Sequence, residues 1–366
     1  MIGLIFGRLL KKTVMSAYYA LIICFLCVGG LLVAGQAQEI QAAMQESGIY
    51  GHVIQDKTKK VKDATVEHII IYPREGHDSE KTIERNGMLV RYKNAKATVL
   101  ICHGFMCDKY DVGLLRNVFN RNQFNVMTFD FRGHGENSSG QYCTFGRDES
   151  LDVIAAAKFL RNHPELHSLP LFIYGFSMGA VSAIEAQSLV PTLSDAMILD
   201  CPFDSSEKVI KNGLSGLRGS LFGYEFELPG KNLLEKYAFH PYVQSLVKAV
   251  LKTVAQMDAT GIRTNFCPLY PVESVKKIVV PCYFIHCKHD QKVSVEQVKR
   301  VYEGAAGYKR LWLTNGRRHY DSFFYNPEKY TEQVRLFFNQ VINDQLPKDP
   351  QEEIIEDEDD DDHLFA

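Results

Sequence analysis

The chain reads as an α/β protein, a mostly parallel sheet with helices on both faces, and three observations predict it. Apolar strand-like runs alternate with helix-length runs from about residue 98 to residue 200, the order that consecutive parallel units produce. Several of these runs end in glycine-rich turns, notably Gly175-Phe176-Ser177-Met178-Gly179. The length, 366 residues with 46% hydrophobic and 23% charged side chains, suits one domain of roughly 280 residues with a large core and terminal appendages.

Taken in order, 66–72 and 88–92 are β-rich runs that open the sheet as antiparallel strands, and 98–102 is a buried strand. Helix 112–120, strand 124–129, helix 149–161, strand 170–174, helix 178–189 and strand 196–200 follow. The alternation breaks between Pro202 and about Pro271, a span rich in aromatics that includes an amphipathic helix over 241–254, with Tyr242, Val243, Leu246, Val247, Val250, Leu251 and Val254 on one face. Inserted after the sixth core strand, the span 202–271 is expected to form a small helical lid. Strand-like runs at 279–286 and 310–314 complete the sheet.

The chemistry lies at the ends of these strands. Ser177 stands between two glycines, after a strand and before a helix, where a tight turn can lift a hydroxyl above a sheet edge. It is the candidate nucleophile. Such a serine needs a base, and the base an orienting acid. Strand 279–286 runs into Cys287-Lys288-His289-Asp290, and strand 310–314 is followed by Asn315-Gly316-Arg317-Arg318-His319, so serine, acid and histidine come in that order. Asp200, at the end of strand 196–200, is the rival acid. The amide of Phe105, after His103-Gly104, and the amide of Met178 are placed to bind an oxyanion. His103 and His134 are read as loop-shaping residues, and Asp321 as a helix cap.

With these motifs the chain resembles the α/β-hydrolase superfamily, and more narrowly the lysophospholipase-like and serine-aminopeptidase-like hydrolases. His103-Gly104, Asp130-Phe131-Arg132-Gly133-His134-Gly135, Gly175-Phe176-Ser177-Met178-Gly179, Asp290 and His319 carry the likeness, which covers roughly residues 65–343. It implies the fold and a triad of Ser177, Asp290 and His319, and says little of the substrate.

Charge and cysteine content set further bounds. The net charge is -3, but ten acidic residues lie from Asp349 onward, which leaves the remainder at +7. That balance does not point to nucleic acid. The nine cysteines give no clean disulfide pattern, and no cysteine and histidine set has zinc-ligand spacing; neither metal nor organic cofactor is expected.

The termini are read as appendages. Residues 13–35 are uncharged and follow Arg8, Lys11 and Lys12 in the basic segment 1–12. As a helix they would span about 34 Å, enough to cross a bilayer. The positive-inside rule puts the N-terminus in the cytoplasm and the enzyme on the other side. The length favours an uncleaved signal anchor, although Val33-Ala34-Gly35-Gln36-Ala37 offers a cleavage site that would give a secreted enzyme. Residues 36–64 are read as a spacer, 65–343 as the hydrolase domain and 344–366 as an acidic disordered tail.

The reading is thus a membrane-anchored serine esterase or lipase-like enzyme acting on a small or lipid-derived acyl substrate. A serine exopeptidase of the same fold and a catalytically silent binding protein are the alternatives.

Overall fold

Strands and helices alternate along the chain. The computed structural model describes residues 50–61, 63–119, 124–136, 138, 140–215, 218–221, 224–227, 240, 262–347 and 353–358, all in a unit spanning Tyr50–Ala366. The first half runs β1 (Gly51–Val53), β2 (Lys59–Val61), β3 (Ala64–Ile71), β4 (Arg85–Tyr92), β5 (Ala97–Cys102), α1 (Gly113–Phe119), β6 (Phe124–Phe129), β7 (Tyr142–Cys143) and α2 (Glu149–Asn162). Then come β8 (Leu171–Phe176), α3 (Met178–Leu189), β9 (Ala196–Asp200), α4 (Ser206–Ser215), β10 (Arg218–Leu221), β11 (Tyr224–Glu227), β12 (Arg263–Thr264) and α5 (Pro271–Ser274). The last elements are β13 (Cys282–Cys287), α6 (Val295–Gly304), β14 (Lys309–Thr314), α7 (Ser322–Tyr325), α8 (Pro327–Ile342) and β15 (Glu353–Glu356).

The main sheet is ordered β1-β3-β4-β6-β5-β8-β9-β13-β14-β15, with β2 also paired to β3. β1, β3, β4 and β6 join antiparallel, whereas every pair from β6 to β15 is parallel. Helices cover both faces of the parallel part, so β5, β6, β8, β9, β13 and β14 are buried at every residue, whereas the edge strand β15 alternates half-buried and exposed. Alternate side chains feed two cores. Leu100, Met127, Ile173, Leu199 and Phe284 face α2, α3 and α6. Val99, Val126, Phe172, Ile198 and Tyr283 face α1 and α8.

Parallel register brings the C-terminal ends of the strands to one edge. Cys102 lies beside Gly175, Phe176 beside Asp200, Ile285 also beside Asp200, and Cys287 beside Thr314. The loops that leave this edge carry Phe105, Ser177, Asp290 and His319, the position at which open α/β sheets bind ligands.

Three expectations need correction. The spacer 36–64 is too long: β1 and β2 lie within it and pair with β3, so the sheet starts at Gly51 rather than near residue 65. Both strands are three residues long and lack a buried apolar run, which hid them. The acidic tail is not wholly disordered, because β15 adds a parallel strand against β14. Arg310 binds Glu353 at 2.8 Å, Lys329 binds Asp357, and the Trp312 indole donates to Asp357 at 3.0 Å; charge pairing supplies what the tail lacks in apolar surface. The insertion between β9 and β13 is not purely helical either, since its described part holds α4, a β10–β11 hairpin, β12 paired with β7, and α5.

The expected helix 241–254 lies outside the described residues. So do the basic segment 1–12, the apolar run 13–35 and the end of the tail. Among the described residues no helix is long and apolar enough to cross a membrane.

Candidate active site

Ser177 follows β8 directly and has φ 51° and ψ -120°, a backbone conformation that side chains seldom adopt. The turn is held by its own amide, which donates to the Asp200 carbonyl at 2.8 Å. Both flanking glycines are steric requirements. A Cβ on Gly175 would sit 2.6 Å from the Gly179 carbonyl oxygen, and one on Gly179 would sit 2.1 Å from the Cys102 carbonyl oxygen. Side chains there would push α3 off the sheet.

His319, in the loop after β14, brings its Nε2 to 2.8 Å from Ser177 Oγ and its Nδ1 to 2.6 Å from Asp290 Oδ2. Asp290 lies just past β13. Its Oδ1 accepts the amides of Lys292 at 2.8 Å and Val293 at 3.1 Å, so Oδ2 is the oxygen turned to the imidazole. An ionised Asp290 accepts from Nδ1–H, which leaves Nε2 free to accept the serine proton. Burial works against that ionisation, but the hydrogen bond from His319 and the nearby imidazoles of His319 and His286 outweigh it, so the Asp290 carboxyl is held below the usual range. Asp290 and His319 are thus both within hydrogen-bond reach of their partners in the chain Ser177, His319, Asp290.

Asp200 occupies a different place. It is fully buried and accepts from Tyr330 at 2.7 Å, and it does not bond His319. Burial pushes its carboxyl up to about 6.

Met178 is the first residue of α3, whose leading amides have no intrahelical acceptor. Phe105 leaves β5 beside it, because β5 and β8 are neighbours. The loop of Phe105 is shaped by two histidines. His103 Nε2 accepts the Phe131 amide at 3.0 Å, so its Nδ1–H donates to the Gly104 carbonyl at 2.8 Å. His134 Nδ1 lies 3.0 Å from the Arg132 carbonyl. Burial drives His103 down to about 3 and His134 to about 4, and both stay neutral at ordinary pH. Asp321 stands at the N-cap of α7, but its carboxylate accepts the Arg317 amide instead of capping the helix.

Aromatic rings cluster beside Phe105: Phe145 and Phe203 in the core and Phe266 half-buried against it. Phe145 lies 5.6 Å from Phe105, 5.2 Å from Phe203 and 5.4 Å from Phe266, measured between ring centroids. The one set of metal-type donors among the described residues, Cys201 with Asp290 and His319, shares its Asp and His atoms with the hydrogen bond described above. All seven described cysteines are free thiols.

Sequence reading missed a buried support for this edge. Lys109 Nζ binds Asp130 Oδ2 at 2.7 Å with both side chains almost wholly buried, and the amides of Lys109 and Glu136 also donate to Asp130. Gly135 has φ 58° and comes so close that a Cβ would lie 2.2 Å from the Asp130 carboxyl carbon. The Asp130 to Gly135 motif was visible in the sequence. Its lysine partner, 21 residues away, was not.

Comparison with known proteins agrees with this architecture. Residues 93–221 match the family described as serine aminopeptidase, S33. An uncharacterized protein of Bacillus subtilis, YqkD, is 27% identical over 245 residues, covering 67% of this chain and 72% of that protein. The Pyrococcus furiosus esterase Pf2001 superposes with a TM-score of 0.55 at 23% identity, over 75% of this chain and 92% of its own. Acetyl xylan esterase 1 of Thermoanaerobacterium gives 0.53 at 14% identity over 82% and 93%, and the peroxisomal α/β-hydrolase Lpx1 of Saccharomyces cerevisiae 0.54 at 11% over 80% and 93%. With its mixed sheet, its strained serine turn and these likenesses, the chain has the α/β-hydrolase fold.

Proposed function

We propose that this protein is a serine hydrolase that cleaves carboxylic esters or related acyl bonds through an acyl-enzyme. The observation that carries the reading is the continuous contact from Ser177 Oγ to His319 Nε2 and from His319 Nδ1 to Asp290 Oδ2, at 2.8 Å and 2.6 Å. Ser177 Oγ attacks the carbonyl carbon as its proton passes to His319. The amides of Phe105 and Met178 hold the resulting oxyanion, and Asp290 stabilises the imidazolium. His319 then protonates the leaving alcohol. Water, deprotonated by His319, releases the acid and restores Ser177.

The half-buried rings of Phe105 and Phe266, 6.0 Å apart between centroids, support an apolar acyl group. The match to the serine aminopeptidase family supports a second reading, an exopeptidase using the same residues. A panel of p-nitrophenyl esters of varied chain length beside aminoacyl amides separates the two. Wild type should be labelled by a fluorophosphonate and Ser177→Ala should not; labelling of that variant at the wild-type rate would remove Ser177 from the role.

We also infer that residues 13–35 tether the enzyme to a membrane on its non-cytoplasmic side, which would present lipid-derived esters to the pocket. The uncharged run after Arg8, Lys11 and Lys12 supports this. Protease added to sealed cytoplasm-out vesicles should spare the domain. Digestion there, or a mature chain that begins near Gln36 and washes off with carbonate, rules out the tether.

A further inference from the structure

Asp200 joins the two halves of the site without touching the reacting atoms. Its backbone carbonyl accepts the Ser177 amide at 2.8 Å. One oxygen of its buried carboxylate accepts the Tyr330 hydroxyl at 2.7 Å and the Tyr174 hydroxyl at 3.4 Å, while the other accepts the Cys201 thiol at 3.2 Å. Tyr174 and Tyr330 also share a hydrogen bond of 2.8 Å, and Tyr174 reaches the Tyr320 hydroxyl at 3.3 Å. Tyr320 immediately follows His319 and has φ 60°. Its ring stacks on Phe176, the residue before Ser177, with centroids 3.9 Å apart and planes at 15°. The nucleophile turn, the histidine loop and helix α8 therefore meet around Asp200, through its backbone carbonyl, the Tyr174 hydroxyl and its carboxylate respectively.

We propose that Asp200 is a positioning residue for the reaction: through Tyr174, Tyr320 and Tyr330 it holds the His319 loop against the Ser177 turn, and its buried negative charge steadies His319 when the imidazole takes up a proton. This rests on the serine hydrolase reading above and deepens it. A purely structural role fits poorly, because a charged carboxylate in a dry core is costly and an uncharged residue there would pack at less expense. Burial does push Asp200 up to about 6, against the hydrogen bonds from Tyr330, Cys201 and Tyr174 and the charge of His319.

The titratable groups that face Asp200 are Tyr174 from β8, Tyr330 from α8, Tyr320 and His319 from the loop after β14, Cys201 beside it, and Cys287 from β13. Of this set, His319 is the group that can become positive. Turnover is thus fastest with Asp200 ionised, and protonating Asp200 slows it on the acid side.

The test uses the full-length chain and the variants Asp200→Asn, Tyr330→Phe and Ser177→Ala. Measured are kcat and KM for a p-nitrophenyl ester, the rate of fluorophosphonate labelling, and the thermal midpoint. Asp200→Asn should lower kcat and the labelling rate by at least about tenfold with KM unchanged, since alignment and not binding is lost. Its thermal midpoint at pH 8 should be equal to or above that of wild type. The step down in kcat that Asp200 protonation causes toward acid pH in wild type should be absent from Asp200→Asn. Tyr330→Phe should lower kcat in the same direction by less.

A fall in kcat of Asp200→Asn matched by a fall in thermal midpoint, an unchanged kcat, or an acid-side step that survives in the variant overturns the proposal. Labelling of Ser177→Ala at the wild-type rate would instead overturn the serine reading beneath it, so the two failures are told apart.

Discussion

Replacing Asp290 by asparagine isolates its control over the imidazole. Oδ1 accepts two backbone amides, from Lys292 and Val293, and an asparagine will keep its carbonyl oxygen there because an amide nitrogen would face two donors. Its NH2 group must then occupy the place of Oδ2, 2.6 Å from His319 Nδ1. As a donor, it selects the tautomer with a bare Nδ1 and a proton on Nε2. That proton points at Ser177 Oγ, 2.8 Å away, and the base can no longer accept. Where such a tautomer reversal has been produced in a serine triad, kcat falls about 10⁴-fold, or roughly 5.5 kcal/mol of transition-state stabilisation. We expect a loss of that order for Asp290→Asn, with KM little changed and the fold intact by circular dichroism. The assay is steady-state hydrolysis of a p-nitrophenyl ester above neutral pH. Activity within tenfold of wild type would refute the tautomer argument and with it the role of Asp290.

Three further outcomes follow from the geometry. Gly179→Ala places a methyl carbon about 2.1 Å from the Cys102 carbonyl oxygen, so α3 must shift outward; we expect a loss of about 1–3 kcal/mol in urea titration and a larger, independent loss of fluorophosphonate labelling as the Met178 amide moves with the helix. Lys109→Met leaves the Asp130 carboxylate buried without its cation. Burial opposes the charge of Lys109, yet Asp130 and Glu136 keep it protonated, whereas burial still pushes the Asp130 carboxyl up; the variant should therefore lose about 3–5 kcal/mol, read by urea titration, while Lys109→Met with Asp130→Asn recovers part of it.

The third outcome concerns pH. Asp200 is raised from 3.8 to about 6, so the native state binds its proton more readily than the unfolded chain. The stability it gives is full below about pH 4 and lost as pH rises through 6, a cost of roughly 3 kcal/mol. The stability of Asp200→Asn relative to wild type should therefore rise between pH 4 and pH 7, and a flat difference in urea titrations would contradict the burial argument.

What could be read from the sequence was local. The bounds of β6, α3 and β9 follow from apolar runs closed by Gly, Pro or Asp, and the residues singled out at strand ends are those the geometry brings together. Ser177 directly follows a recognisable strand, and Asp290 and His319 each sit one short loop beyond one. The remainder depended on contacts between distant segments. Tyr174 and Tyr330 are 156 residues apart, and nothing near either marks them as partners of Asp200. β1 and β2 gain their conformation from β3 rather than from their own side chains. β15 reads as solvated acid until Arg310 and Lys329 are placed across from it.

That last strand gives the sheet an unusual finish. Without β15, β14 would present its unpaired amides and carbonyls to any extended chain in reach, the hazard that exposed sheet edges carry. The protein instead supplies its own occupant, whose negative charges discourage a second copy from joining in turn. The seal is partly ionic, through Arg310 with Glu353 and Lys329 with Asp357, while Lys288 donates to the Asp357 carbonyl, so salt that shortens the range of charge interactions to a few ångströms should loosen it. Because Asn315 also grips the Glu358 carbonyl, four residues before His319, a change in ionic strength at the rim of the sheet has a direct line to the histidine loop.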